Sequence, residues 1–110
     1  MGLVNTVDML GHAERHSYAV GAFNIINLEF LNGILEAAER MRSPVILNIA
    51  EVHFPYVNIE QITPAITYMA DNVCVPVVLN LDHGLSIETV VRAIRCGFSS
   101  VMYDASKKSL

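Results

Sequence analysis

The chain has 110 residues, which is enough for one small domain and no more. Hydrophobic residues make up 53% of it and charged residues only 16%. That apolar content is high for a chain of this size, whose surface is large relative to its volume. The balance predicts that part of the surface is covered, either by the rest of a larger domain or by a partner subunit.

Charge and hydropathy exclude two classes of partner. The formal net charge is −4, and the adjacent pair Lys107 and Lys108 is isolated, so we expect no nucleic-acid partner. No apolar run approaches the roughly 18–20 residues that span a bilayer, and the N-terminus lacks the features of a secretion signal. We therefore expect no membrane partner. Cys74 and Cys96 lack metal-ligand spacing and are interpreted as reduced core residues of a cytoplasmic protein.

The first part of the chain predicts a helix, a strand and a second helix. The first helix is expected over Thr6–Arg15, and the apolar run 18–23 predicts a strand that ends at Asn24. From residue 28 to residue 41 apolar residues recur three and four apart, which indicates an amphipathic helix. Asn27 is suited to cap its start, and Ser43-Pro44 to stop it.

The middle of the chain predicts two more strands around a helix. Residues 44–50 and 75–81 are apolar runs of strand length. The helix between them is expected to run to about Asn72. Asn58 has the position of a helix cap, but a proline is best tolerated in the first turn, which favours a start at Thr63-Pro64.

The last part of the chain predicts a helix capped by Ser86, ended by Gly97 and followed by a strand over 98–103. The apolar positions of this helix are Ile87, Val90, Val91 and Ile94. Apolar strands that alternate with amphipathic helices indicate an α/β fold with a parallel sheet. Two architectures fit this order: an open sheet, or half of a (β/α)₈ barrel, which needs about 250 residues when complete.

Polar residues follow the predicted strands at their carboxyl ends, where parallel α/β folds place their sites. They include Asn24, Asp82 with His83, and Asp104. We expect these side chains to face one common cavity.

Each of these residues has a functional and a purely structural interpretation. His83 has the chemistry of a zinc ligand and Asp82 that of a proton carrier, but the pair also suits a turn in which Asp82 is a cap. Gly84 allows a tight turn or the close approach of a ligand. Asp104 is either a metal ligand or a turn residue, and Asn24 either binds a substrate hydroxyl or satisfies a loop.

Four segments together resemble one family. "YAVGAFNIINLE", "AAERMRSPVIL", "VPVVLNLDHG" and "GFSSVMYDAS" follow one another at the spacing of the class II, zinc-dependent ketose-bisphosphate aldolases. This family includes the fructose- and tagatose-bisphosphate aldolases. The resemblance implies that residues 1–110 are one partial domain, the N-terminal half of a (β/α)₈ TIM barrel.

The resemblance also implies a reaction and its residues. The family cleaves a ketose (bis)phosphate reversibly to dihydroxyacetone phosphate and an aldehyde with the help of Zn²⁺. Asp82 matches the catalytic aspartate, and His83 matches one of three zinc-binding histidines. Asp104 matches a carboxylate that binds a second metal in some members, and Asn24 matches a substrate-binding asparagine. The expected ligand is a sugar phosphate.

The sequence departs from the family pattern at two positions. The family usually has histidine where this chain has Asn80, and members that act on phosphorylated aldehydes often have serine where this chain has Ala50. The other two zinc histidines and the phosphate-binding loops belong to the second half of the barrel. We therefore expect the 110-residue chain alone to be inactive.

Two other functions remain open from the sequence. The chain fits a non-catalytic half-barrel that self-associates, because four parallel strands leave an open edge and exposed apolar helix faces. This is the reason to expect a homo-oligomer. A metal-dependent barrel hydrolase that uses the same Asp-His pair is the third alternative.

Overall fold

The computed structural model describes residues 2–109 and contains four strands that alternate with helices. In chain order the elements are α1 (Thr6–Arg15), β1 (Ala22–Asn24), α2 (Leu28–Met41), β2 (Val45–Ala50), a 3₁₀ turn (Glu51–His53), α3 (Ile59–Asn72), β3 (Val77–Gly84), α4 (Ile87–Cys96) and β4 (Ser100–Tyr103). The predicted alternation is confirmed, and α1 has the predicted bounds. Of the helices between residues 2 and 109, none has both the length and the apolar character that a bilayer crossing requires.

The strands form a parallel sheet in the order β1-β2-β3-β4, so each strand lies beside its neighbour in the sequence. This confirms the predicted α/β class with parallel units. β1 is shorter and begins later than the predicted strand over 18–23. It pairs with β2 at only three positions, because it lies at the edge of the sheet and has a partner on one side alone.

The two faces of the sheet differ in what covers them. The outer face packs against α2 and α3 through side chains that are fully buried: Leu47, Ile49, Leu79 and Leu81. The inner face carries Ile46 and Val78, which pair across β2 and β3 and pack against Met9 of α1. Helix α1 therefore covers the inner face at the amino ends of the strands. The carboxyl ends of that face stay open.

The predicted caps of α2 and α4 are confirmed by their hydrogen bonds. The side chain of Asn27 accepts from the backbone N–H of Phe30, and that of Ser86 accepts from the backbone N–H of Thr89. Gly97 ends α4 with a φ of 107°, a left-handed conformation that glycine adopts without steric cost. These local signals set the direction in which each helix leaves its strand.

The start predicted for α3 at Thr63-Pro64 is wrong, because the helix begins at Ile59 with Asn58 as its cap. The side chain of Asn58 accepts from the backbone N–H of Gln61, which completes the first turn. Pro64 lies inside the helix and removes one backbone hydrogen bond. The burial of Ile59 and Ile66, both at 0% exposure, offsets that loss by holding this part of the helix against the core.

The two cysteines are free, but only one has the predicted buried environment. Cys96 is half-buried at the end of α4, and burial raises the pKa of its thiol. Cys74 was expected in the core and is instead exposed. It lies in the loop between α3 and β3, where its backbone N–H donates to the Glu39 carboxylate.

The β4 edge of the sheet leaves apolar side chains uncovered by the described residues. On β4, Val101, Met102 and Tyr103 are between 36% and 42% exposed. On α4 the predicted apolar face is only partly used, because Ile87 and Ile94 are exposed. The uncovered apolar surface expected from the composition is therefore present, and it is not confined to this edge, because Phe23, Leu28 and Phe30 near β1 are also about half exposed.

Candidate active site

The end of β3 differs from the sequence prediction in a way that shapes the site. The strand continues past Leu81 to Gly84, so Asp82 and His83 belong to the strand and the predicted turn is wrong. Between Leu81 and Gly84 the pairing with β4 shifts by one residue, which is a β-bulge. His83 lies in the bulge with a φ of 51°, so its side chain is re-aimed relative to a regular strand.

Packing within the chain leaves little room for a side chain at Gly84. A Cβ atom added there would lie 2.7 Å from Cδ2 of Leu81 and 3.1 Å from the backbone oxygen of Met102. Both distances are shorter than ordinary van der Waals contacts. The glycine lets β3 and β4 stay paired immediately after the bulge.

His83 contacts both predicted carboxylates. Its Nδ1 lies 3.0 Å from Oδ2 of Asp104, which is a hydrogen-bond distance, and its Nε2 lies 3.8 Å from Oδ1 of Asp82, which is too long for one. An Nδ1–H that donates to Asp104 leaves Nε2 of the neutral ring with a free lone pair. The structure thus brings together three of the four predicted site residues at the carboxyl ends of β3 and β4.

Asp104 is held as a carboxylate. The backbone N–H of Ser106 donates to its Oδ1 at 2.9 Å, and the His83 ring occupies Oδ2. The Ser106 hydroxyl and backbone N–H, followed by the His83 ring, lower the pKa of Asp104 to about 2. A carboxylate that stays ionised is suited to orient an imidazole or to bind a cation.

The loop after β2 is tied to the loop after β3. Oε1 of Glu51 accepts a hydrogen bond of 3.2 Å from the backbone N–H of Leu85. Glu51 lies in the 3₁₀ turn that follows β2, so this bond fixes the segment directly after His83 against the neighbouring strand. Glu51 therefore supports the site indirectly, by fixing the loop after β3.

The fourth predicted residue, Asn24, lies lower in the sheet and apart from the other three. It is exposed and pairs in register with Asn48, which pairs with Asn80, which pairs with Ser100. These residues form one polar row across the inner face, hereafter the polar row. Because neighbouring strands are about 4.8 Å apart, Asn24 is two strands, or about 10 Å, to the side of Asp82.

Within the polar row the side chains are hydrogen bonded to each other. The Ser100 hydroxyl donates to Oδ1 of Asn80 at 2.7 Å, and Nδ2 of Asn80 donates to Oδ1 of Asn48 at 2.9 Å. Asn80 stands out in the sequence as a departure from the family pattern, whereas Asn48 and Ser100 are not predicted from it. No sequence signal identifies these two residues, because placing Asn48 and Ser100 beside Asn80 requires the register of the parallel strands.

The side chains at this site are of types that bind zinc, but there are too few of them to hold the ion. Imidazole and carboxylate are ordinary zinc ligands, and a carboxylate on the second ring nitrogen is the partner that zinc-binding histidines usually have. Residues 2–109 nevertheless contain no group of three or more His, Cys, Asp or Glu side chains that could hold a metal ion. The described residues are therefore too few to form a zinc site by themselves.

A cavity of about 1020 Å³ lies far from these residues. It opens at the amino ends of the strands, between α1 and the loops that precede β2 and β3, and its lining includes Met9, His12, Tyr18, Met41 and Pro76. Most of its lining is apolar, and it contains none of the predicted site residues. In a parallel α/β fold the reactive end is the opposite one, so its size does not make it the active site.

Solved structures match this fold closely. The YdjI aldolase from Escherichia coli K12 superposes with a TM-score of 0.92 at 33% identity, over 97% of this chain and 42% of that chain. A putative fructose-1,6-bisphosphate aldolase from Coccidioides immitis gives a TM-score of 0.86 at 30% identity, over 94% of this chain and 41% of that one. The fold class is that of the aldolase TIM barrels, and the chain is consistent with half of one.

The sequence comparison gives the family. A sequence profile of class-II fructose-bisphosphate aldolases matches residues 4–110, and the chain belongs to that family. A fructose-bisphosphate aldolase of Thermus caldophilus is 46% identical over 94% of this chain, and a sulfofructosephosphate aldolase of Alkalicoccus urumqiensis is 38% identical over 99% of it. The chain spans only 34% and 38% of the lengths of these relatives.

Proposed function

We propose that residues 1–110 are the N-terminal half of a class II aldolase barrel. The whole protein then catalyses the reversible, zinc-dependent cleavage of a ketose (bis)phosphate to dihydroxyacetone phosphate and an aldehyde. The single observation that carries this proposal is the cluster at the carboxyl ends of β3 and β4. There the His83 ring is 3.0 Å from the Asp104 carboxylate and 3.8 Å from that of Asp82.

Asp82 is the proton carrier in this proposal. Cleavage needs a base to take the proton of the hydroxyl on the carbon that becomes the aldehyde, and condensation needs the proton returned. Asp82 is suited to both because it lies on a rigid middle strand and its side chain keeps 23% exposure, so a substrate can reach it. The same carboxylate takes the proton and gives it back, so no other proton donor is needed at this atom.

His83 and Asp104 act together in this proposal. Asp104 accepts from Nδ1 of His83 and thereby leaves Nε2, which lies 3.8 Å from Asp82, available as a ligand for zinc. When bound, zinc supplies Lewis-acid polarisation of the ketone carbonyl. The direct metal-ligand role predicted for Asp104 stays a prediction, since both of its oxygens already accept hydrogen bonds.

The ligand class is a sugar phosphate, and its identity stays open. Relatives at 38% to 46% identity are named for different aldolase substrates, including fructose bisphosphate, sulfofructosephosphate and 6-phospho-5-dehydro-2-deoxy-D-gluconate. Asn24 is proposed to bind a substrate hydroxyl from the polar row. An exposed amide at a strand end is suited to that contact, because it can both donate and accept.

The test is aldol cleavage by the protein expressed from the whole reading frame that contains these residues. We expect cleavage of a ketose bisphosphate that is lost on chelation of zinc and restored by adding it back. Asp82→Asn is expected to lower kcat by about 10²- to 10⁴-fold, since it removes the base and keeps the shape. Asp8→Asn, an exposed change on α1 outside the site, is the matched control and should keep full activity.

Three results contradict the proposal. They are wild-type protein that releases no dihydroxyacetone phosphate, Asp82→Asn at normal activity, and hydrolysis of esters or phosphoesters in place of carbon–carbon cleavage. The purified 110-residue chain alone is expected to be inactive with zinc. A normal cleavage rate from it would show that no further ligands are needed.

A second function is favoured by one observation, the exposed apolar edge formed by β4 and α4. Its side chains Ile87, Ile94, Val101, Met102 and Tyr103 can be buried against a second copy of the chain. On this alternative the chain is a non-catalytic half-barrel that self-associates. Molar mass in solution decides, because a monomer of 12.1 kDa at micromolar concentration counts against it.

A further inference from the structure

The polar row ends in an unused hydrogen-bond donor. Because the Ser100 hydroxyl donates to Asn80 and Asn80 donates to Asn48, the carbonyl oxygens of both amides are occupied. The amide nitrogen of Asn48 lies on the side of its Cγ turned away from β3. No hydrogen bond within residues 2–109 uses that nitrogen or the side-chain amide of Asn24. Asn24 is the neighbour of Asn48 in register.

The position of this donor relates it to the proposed proton carrier. Asn80 is two residues before Asp82 and shares its face of β3, and Ala50 pairs with Asp82 directly above Asn48. One strand spacing and two residues along the strand place the Cα atoms of Asn48 and Asp82 about 8 Å apart. Asn48, Asn24 and Asp82 are therefore close enough together for one open-chain sugar to reach all three.

The layer beneath the polar row cannot serve a polar ligand. Ile46 and Val78 lie two residues nearer the amino ends and pack against Met9, at 9%, 0% and 5% exposure. Nothing in that layer offers a hydrogen bond to a hydroxyl. The polar row therefore lies between this apolar layer and the open carboxyl end of the sheet. The amides of the row form the bottom of the proposed sugar site.

We propose that Asn48 binds a substrate hydroxyl beside Asn24, and that Asn80 and Ser100 are positioning residues that fix the orientation of the Asn48 amide. This rests on the proposed function for the substrate class. The ligand is a polyhydroxylated, phosphorylated open chain, whose neighbouring hydroxyls match the unused N–H donor of Asn48 and the amide of Asn24, which can both donate and accept. Ser100 touches no substrate and acts through Asn80 alone.

Steady-state kinetics of the protein from the whole reading frame test this assignment. Asn48→Ala and Asn80→Ala are each expected to raise KM for the ketose bisphosphate about three- to tenfold and to keep kcat within about twofold, as loss of one uniform hydrogen bond does. Because Asn80 acts through Asn48, the double variant should have the KM of Asn48→Ala. Ser100→Ala should raise KM, Ser100→Thr should restore it, and Asn32→Ala on exposed α2 is the control.

If the enzyme cleaves the ketose bisphosphate, three outcomes would still overturn the role proposed for Asn48. One is a KM unchanged in both asparagine variants. Another is a double variant whose KM rises by the product of the single effects. A third is a loss of stability in Asn80→Ala with no change in KM, which is the result for a purely structural row.

Binding of a probe separates this inference from the proposed function. The probe is the hexitol 1,6-bisphosphate made by reducing the ketose, which has no carbonyl and cannot be cleaved. The side-chain amide resonances of Asn48 should shift on its addition in wild type and Asn32→Ala, and much less in Asn80→Ala. Absence of the shift in wild type overturns the role of Asn48 even if cleavage occurs, and a shift without cleavage overturns the proposed reaction alone.

Discussion

The two middle strands and the two outer strands of the sheet differ in burial, pairing and completeness. β2 and β3 are paired on both sides and covered on the outer face by α2 and α3. β1 is exposed at all three of its residues, and β4 is exposed along most of its length. The core is therefore complete around the middle strands, while the site draws one of its carboxylates, Asp104, from beyond the less supported β4.

The largest expected change in the free energy of unfolding comes from shortening a buried valine of the middle strands. A valine of the outer strand β4 is its match. Val77 on β3 is fully buried, whereas Val101 on β4 is 36% exposed, and both lie on the outer face. Val77→Ala is expected to lower the free energy of unfolding by about 2–3 kcal/mol, from two lost methyl groups and the cavity left behind. Val101→Ala should cost about 1 kcal/mol or less. Urea unfolding followed by circular dichroism measures both.

One result would contradict the expected difference between the two valine variants. Equal losses for Val77→Ala and Val101→Ala mean that β4 is covered in solution. A second copy of the chain is then the first candidate for the cover, and the loss for Val101→Ala should shrink on dilution.

A smaller effect is expected at the junction of the two regions, where β3 and β4 stay paired after the bulge. Gly84→Ala places a Cβ 2.7 Å from Leu81 and should lower the free energy of unfolding by about 1–3 kcal/mol. Gly33→Ala is the matched control, because nothing lies within 4 Å of its added Cβ. Inside an exposed helix that change should raise stability by about 0.5–1 kcal/mol. Stabilisation by Gly84→Ala would show that the strands separate after Leu81.

The smallest expected effect is the pH dependence of the contact between α3 and α4. Arg92 holds the Glu60 carboxylate through two hydrogen bonds of 2.6 Å and lowers the pKa of Glu60 from 4.5 to about 2. Because the unfolded chain binds the proton more readily, this stability is fully present above pH 4.5 and is lost as the pH falls toward 2.

The measurement is the urea midpoint between pH 5 and pH 2. Glu60→Gln should flatten part of the decline, and the effect is expected to be small because both side chains of the pair are about half exposed. Glu36→Gln removes an exposed carboxylate 3.9 Å from Arg40 and should leave the slope unchanged. An identical slope in wild type and Glu60→Gln contradicts a role for the ion pair.

Local signals in the sequence predicted most of the fold, and they failed where tertiary packing decides. Asn27, Ser86 and Gly97 mark helix ends through bonds to residues a few positions away, so their roles can be seen from spacing. Pro64 was misleading because the burial of residues distant in sequence keeps the first turn of α3 helical. The bulge at His83 was invisible, since it depends on the register between β3 and β4.

The sequence was enough to predict which residues lie in the site, but not which of their atoms are in contact. The carboxyl ends of parallel strands converge, which is enough to expect Asp82, His83 and Asp104 together. Which atoms meet depends on the left-handed conformation of His83, for which an isolated sequence gives no signal. The bonds between Asn48 and Asn80 require the register of β2 and β3, which residue spacing alone does not give.

The tautomer of His83 is the most direct test of an imidazole that Asp104 holds beside Asp82. Long-range ¹H–¹⁵N spectra of the chain, at a pH where the ring is neutral, should show the proton of His83 on Nδ1. In Asp104→Ala that preference should disappear. A wild-type ring protonated on Nε2, or a tautomer that does not change in Asp104→Ala, would contradict the hydrogen bond between His83 and Asp104.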